Sequence, residues 1–600
     1  MKCKAVFLFF FCLTSLQNMY SQQDTLVVSE PSFITHQEKR WVRSSSDSTV
    51  TDSLFTEVIF VQDSVIMYCD SAIIVNDIDI TAWGNVAIVQ NDTIEIFSDT
   101  LKYNAETKKS ILIGNVLLSN QSESLYTDLL LYDLNTKVAN YNTRATMTQN
   151  DVTLQSEIGE YDVGRQKAYF SKGVEVVDSS FILWTDTLNY NLKTERARFF
   201  GPTRIDQNEA QLYCEGGTYD IADKAARLEK HAQYKSDSLI ASADVLFYDG
   251  NTNEVVLQEN AKFKKGSSYG ESIQIVYNEK TQISVLTGEA YFVSENKRIR
   301  ADVIEHNGVD DSFSTRGRMS LVEDNQKLTA RRFYSKPGSD VKIATGEVLW
   351  IDTIQNISLE GDSLFIKESD NSVDAIGESQ RPLLHKVNGQ DTIWLSAMLI
   401  SAFDVEDSLG TKSVFEAMED VRVLSDDFQA TSHYLEYQSR DSTLSLTNTP
   451  ILWVDSTQFL ADTIIVDMVN NEPSVLHLIG NGLIISESYP TVFDQIKGRE
   501  VTAWLTEGDL DSMLVEGNAE SIYFMKDDDD LFIGADKTEC SSIKFFFSEG
   551  ELKKIQSVIK PTSTFLPMQG INLQELVLSG FGWYIEKRPL VLNDLKVEIQ

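Results

Sequence analysis

The side chains with chemical potential in this chain form a column. Asp99, Asp128, Glu157, Asp186, Glu215, Asp244 and Asp302 recur about every 29 residues, with Ile273 in place of an acid in one copy. Stacked carboxylates could hold hard cations such as calcium. Stacking at strand spacing, however, puts like charges ~5 Å apart, which is costly in a dry core. The acids are therefore expected in contact with water at the mouth of an apolar face, as a solvated rim or turn-capping set, with calcium as the alternative. Nothing else in the chain points to catalysis. The histidines at 36, 231, 306, 385, 433 and 477 are scattered without metal-ligand spacing, and neither GxSxG nor a P-loop occurs. The expectation is a protein with no catalytic residues, no metal and no cofactor.

Four residues after each acidic position comes an aromatic ring: Tyr103, Tyr132, Tyr161, Tyr190, Tyr219, Tyr248, Tyr277 and then His306. So strict a period means one structural unit, copied and stacked. On an unbroken strand, residues at even spacing share a face, which places acid and aromatic together. Between them stand Leu101, Leu130, Gly159, Leu188, Gly217, Leu246, Ile275 and Ile304. After a turn rich in Asn, Asp, Thr and Lys, a second strand begins. It carries a small residue (Ser110, Ala139, Ala168, Ala197, Ala226) and, two further on, a large apolar one (Leu112, Tyr141, Phe170, Phe199, Leu228, Leu257, Leu286). The position between them varies from Ile111 to Arg198, as a wall facing water would. Glycines then recur in Gly84-Asn85-Val86, Gly114-Asn115-Val116, Gly288-Glu289 and Gly346-Glu347, marking a bend where the chain crosses between sheets.

Alternate-residue patterning predicts an all-β fold, an elongated stack of antiparallel strand repeats in about 14–16 rungs. The inward candidates are Leu101, Tyr103, Leu112, Leu130, Tyr132, Tyr141, Tyr161, Phe170, Leu188, Tyr190, Phe199, Tyr219, Leu228, Leu246, Tyr248, Leu257, Ile275, Tyr277 and Leu286. Beyond about 345 the beat loosens, and Asn388-Gly389 between two apolar runs signals a hairpin. Five segments follow: a secretory signal peptide at 1–21, with Lys2 and Lys4 before an apolar run; a flexible segment at 22–49; repeat lobes at 50–345 and 346–560; and a C-terminal cap or docking segment at 561–600. Cys69 and Cys214 stand five repeats apart, too far to bridge, and are expected as isolated buried thiols.

The 600 residues are 42% hydrophobic and 24% charged, enough apolar material for a large core, and the net charge of −38 argues against a nucleic-acid partner.

Ser98-Asp99-Thr100-Leu101, Thr127-Asp128-Leu129-Leu130 and Ala243-Asp244-Val245-Leu246, answered by Gly-Asn-Val at 84 and 114, resemble the repeat of the OstA-like periplasmic proteins of lipopolysaccharide transport, relatives of LptA and of the LptD N-terminal domain. Leu452-Trp453, Ala461-Asp462-Thr463-Ile464, Phe493-Asp494-Gln495-Ile496-Lys497-Gly498, Val515-Glu516-Gly517-Asn518 and Gly580-Phe581-Gly582-Trp583 are similar to a long, two-lobed subgroup. The resemblance implies a V-shaped β-jellyroll (β-taco) whose apolar interior shields lipid acyl chains, a periplasmic location bridging inner and outer membranes, and lipopolysaccharide as cargo. It implies as partners an LptC-like inner-membrane export complex and an LptD-like outer-membrane translocon, with end-to-end self-association. A structural β-solenoid spacer or adhesin and a carbohydrate-binding parallel β-helix are the alternatives, and strand orientation separates the β-helix from the transport fold.

Overall fold

The computed structural model describes residues 35–596 apart from short interruptions, the longest at 336–338; the signal peptide at 1–21 lies outside the described residues. The chain divides into two compact units, one comprising Met1–Asp237 with Val245–Asn251, the other Ser238–Asp244 with Thr252–Gln600. This boundary replaces the one expected near 345. The loosened beat there reflects a change in side-chain pattern only, because Val341–Asp352 stays paired to Gln326–Ser335 on one side and to Ile357–Lys367 on the other.

The first unit is a meander. Val65–Val75, Asp79–Gln90, Ile94–Asn104, Lys109–Asn120 and Glu123–Asp133 pair with their sequence neighbours. Every strand pairing described in the molecule is antiparallel, which rules out the parallel β-helix reading. Each 29-residue repeat supplies two adjacent strands, so a repeat advances the stack by ~10 Å rather than by one strand spacing. Two segments assigned to a flexible leader, Thr35–Gln37 and Arg40–Ser46, are strands paired to Thr49–Gln62, because that long strand offers its outer edge to both.

Every long strand carries a bulge at its centre. Pairing of Ile94–Asn104 with Lys109–Asn120 shifts register between Phe97 and Thr100, and the next pairing shifts between Ile113 and Val116. Gly114 and Asn115 both take positive φ there, +80° and +44°, the left-handed region that Gly and Asn enter most cheaply. A Cβ on Gly114 would lie 2.5 Å from the Asp99 carboxylate.

The bulge also reverses side-chain parity. Ile94, Ile96 and Ser98 are buried, then Leu101 and Tyr103 are, while Asp99 faces out. The expectation that acid and aromatic share a face is thereby corrected: the neighbouring strands carry an extra residue at the bend, the acid-bearing strand passes it with one fewer, and the acid is left on the outer side. The acids do meet water, at the spine of the fold instead of its mouth. There they fix the bend. Asn85 donates to Asp70 at 2.9 Å, Asn115 to Asp99 at 2.8 Å and Asn260 to Asp244 at 2.7 Å. At Arg331 the charge is inverted and so is its partner, Glu347.

The small residues of the second strand earn their place beside the rings. Ala168 lies opposite Tyr161 and Tyr190, and Ala197 opposite Tyr190 and Tyr219. A larger residue would displace the ring on either side.

In the second unit the meander continues with rungs split in two, such as Thr443–Thr447 with Ile451–Val454, and with the anticipated hairpin, Leu383–Asn388 on Asp391–Ser396. Within the segment 561–600, Thr562–Pro567 is a strand against Phe532–Ser548, and the chain from Met568 to Leu595 lies off the ladder. Among the described residues no helix is long and apolar enough to cross a membrane.

Candidate functional site: the apolar interior and its two closures

All nineteen inward candidates are buried, with at most 5% exposure, whereas Arg198 between Ala197 and Phe199 is exposed. Those up to Tyr248 fill the interior of the first unit, and Leu257, Ile275, Tyr277 and Leu286 belong to the second.

How that interior is closed follows from contacts between opposite strand ends. Tyr103 is nine residues from the start of Ile94–Asn104, so in a flat sheet it would lie ~30 Å from the turn that holds Gln62. Instead its hydroxyl donates to the Gln62 side-chain carbonyl. The strand is therefore folded at its bulge and the two turn edges meet as lips. The clasp repeats: Tyr132 donates to Gln90 Oε1 at 2.7 Å and Tyr190 to Gln149 Oε1 at 3.0 Å. Each glutamine also donates across the same gap, Gln62 to Ala105 O at 3.0 Å, Gln90 to Leu134 O at 2.8 Å and Gln149 to Leu192 O at 2.8 Å. Where Asn120 holds the glutamine position, Glu123 takes over, bound by Tyr161, Gln166 and Asn120. Outside the clasps Lys108 pairs with Asp63 at 2.6 Å.

Burial raises the hydroxyls of Tyr103, Tyr132, Tyr161 and Tyr190 above the ordinary phenol range, and Tyr141, held on Ser156, to about 12. They stay protonated donors at any physiological pH.

The glutamines escaped the sequence reading, although the signal was present. Gln62, Gln90, Asn120, Gln149, Asp178 and Gln207 recur at 28 to 30 residues, and Lys265, Ser294, Glu323 and Asp352 extend the column. A polar column beside an apolar one reads as a solvent face until the fold brings it against the tyrosines.

The second unit closes differently. Tyr277 contacts Lys265 Nζ at 3.2 Å, and His306 replaces the next tyrosine, bonded to Asp311 at 2.9 Å and stacked on Phe313. Burial lowers the His306 pKa despite Asp311. Two cavities follow. One, about 170 Å³, has a floor of Ile299, Phe313, Leu321 and Phe333 under Lys297, Lys342, Glu323 and Asp310. The other, about 340 Å³, is lined by Val341, Phe365, Ile366, Lys367 and Ile376.

From Met568 to Leu595 the chain runs back over the second unit as a strap. Gln495 donates to Leu576 O and accepts from Leu578 N at 2.8 Å; Gln458 donates to Gly582 O at 2.7 Å and accepts from Tyr584 N at 2.8 Å. Arg588 then reaches Gln429 Oε1 and Asp455 O, and Arg422 reaches Asp594 O, each at 2.7 Å. The three glutamines are buried.

Cys69 and Cys214 are free and buried, and desolvation raises their thiols to about 12 and about 11. The described residues contain no group of three or more His, Cys, Asp or Glu able to hold a metal ion.

Each unit is a folded antiparallel β stack with an inner face of apolar side chains. Residues 33–186 match the family model described as OstA-like protein, and residues 251–311 match that of the LptA/(LptD N-terminal domain) LPS transport protein. These two stretches resemble OstA-like proteins of the lipopolysaccharide-transport type. Among solved structures it is similar to LptH of Pseudomonas aeruginosa, the LptA-homologous periplasmic component of a lipopolysaccharide transport device, at 18% identity and a TM-score of 0.14 over 24% of this chain and 94% of that one. No curated protein matches it significantly.

Proposed function

We propose that the protein is a periplasmic component of the lipopolysaccharide-transport bridge, shielding acyl chains in its apolar interior and passing lipopolysaccharide toward the outer membrane. The supporting observation is the inward alignment of nineteen apolar or aromatic side chains across successive strands, overlapping both family matches. Acyl chains entering such an interior gain ~0.8 kcal/mol per buried methylene, without any need for net positive charge. An acidic carrier of an anionic lipid holds it by the tails. The first unit is packed and clasped, so entry requires the lips to part: each Tyr–Gln pair is broken and the rings move aside for the chain. The ends of the stack serve, on this reading, an inner-membrane component of similar fold and an outer-membrane translocon, through unpaired strand edges. The reading has no catalytic step.

A structural spacer is the second reading, favoured by the sealed interior of the first unit. Crosslinking in cells separates the two. A photoreactive residue in place of Leu130 or Phe199 should give lipopolysaccharide adducts, and one at Arg198 should give none. Adducts absent from all three positions, or equal at all three, would favour the spacer.

A further inference from the structure

The strap holds to the second unit in a way that the strands do not. From Met568 to Leu595 it contributes no strand to the ladder; beyond the single backbone bond of Met568 N to Ile533 O, it is held by side chains, Gln458, Gln495 and Lys497 reaching it and its own Arg588 reaching back, and by packed apolar residues. Leu578 is buried against Leu483, Ile485, Ile522 and Phe524, and Phe581 and Trp583 pack on Phe493 with ring centroids 5.4 and 5.2 Å away. Lifting the strap breaks no rung. It uncovers buried glutamine amides and an apolar floor that belongs to the interior of the unit.

We propose that this bed is a second acyl-chain site and that the strap is its resident stand-in, with Leu578, Phe581 and Trp583 occupying the space of a saturated hydrocarbon chain until an amphiphile displaces them. The inference rests on the acyl-chain reading above and adds the regulation of one site. Two features favour displacement over a fixed wall. The glutamine clamps bind backbone atoms, which water can take over when the strap leaves. The strap also turns Val577, Ile585, Leu590 and Val591 outward as exposed apolar side chains, a poor arrangement for a segment selected only to seal a core.

The test uses the full chain with Cys3, Cys12 and Cys540 replaced by serine, the buried Cys69 and Cys214 retained, and Lys497→Cys with Ser579→Cys joined by a reducible bis-thiol linker. Lys497 contacts both Ser579 O and its hydroxyl, so the linker ties the strap in place. The probe is a diazirine-bearing palmitic acid, with adducts mapped by peptide mass spectrometry. Tying the strap should cut labelling of 483–535 by about fivefold or more, the effect of roughly one kcal/mol, leave labelling of 94–237 unchanged, and be reversed by reductant. Gln458→Ala with Gln495→Ala should raise labelling of 483–535 while the β-sheet circular dichroism is kept. Equal labelling of 483–535 with the strap tied and free would overturn the strap proposal alone. Absence of labelling from both units would overturn the acyl-chain reading and this inference with it.

Discussion

The two units solve one problem with different parts. Both must cover the inner face of a folded antiparallel sheet. The first does so with its own lips, a tyrosine from one turn edge donating to a glutamine on the other, repeated at Tyr103, Tyr132 and Tyr190. The second keeps the buried glutamines but gives them a backbone to hold, the strap at Leu576–Tyr584. A closure built from single side chains opens one pair at a time; a strap leaves as a segment. The apolar interior is thus the constant feature and the closure the variable one.

Alkali should separate the units most. A buried tyrosine whose folded pKa is raised contributes stability in full below the ordinary phenol pKa of ~10, and that stability is lost as pH climbs toward the folded value, by up to ~1.4 kcal/mol per residue per pH unit. Tyr103, Tyr132, Tyr141, Tyr161, Tyr190 and Tyr219 are so raised in the first unit, chiefly by desolvation, against Tyr269 and Tyr434 in the second. Hydrogen exchange followed from pH 9 upward should show the first unit opening before the second. Simultaneous opening would erase the contrast.

A cavity should do less. Phe199→Ala removes a fully buried ring and is expected to cost about 3–5 kcal/mol, read as faster exchange within the first unit. If the second unit loosens equally, the two behave as one cooperative body. At the bend, Gly114→Ala forces φ near +80° on a residue whose Cβ meets Asp99, for about 1–3 kcal/mol in the urea midpoint. Least costly is Tyr132→Phe, which leaves Gln90 without its hydroxyl donor at about 1–2 kcal/mol, with exchange rising locally around Gln90 and Leu134. An unchanged rate there would mean that the clasp does not hold the lips.

The repeat made the strands, their antiparallel pairing and the inward set legible, because a column of Leu, Tyr and Phe at fixed spacing has one buried solution. The acid column was misplaced by a feature that alternation cannot express. The register break between Phe97 and Thr100 reverses parity, and the only trace of it was Gly-Asn in the neighbouring strand, 15 to 16 residues on from Asp99. Gln62 and Gln90 were equally periodic yet chemically silent, since an amide gains a role only when folding brings a partner from 41 or 42 residues away. The strap was harder still. Its partners fall from Gln495 to Gln458 to Gln429 as its own numbers rise, a register that no local period encodes.

On the proposed reading, the lips of the first unit part around lipid tails. Asp92 and Thr136 are exposed on opposite lips beside the Gln90–Tyr132 clasp, so spin labels at Asp92→Cys and Thr136→Cys report the gap by double electron–electron resonance. Added lipopolysaccharide should lengthen and broaden that distance while a photoreactive residue at Leu130 captures acyl chains. Lipopolysaccharide that binds while the distance stays at its unliganded value would place the lipid outside the stack and rule out entry between the lips.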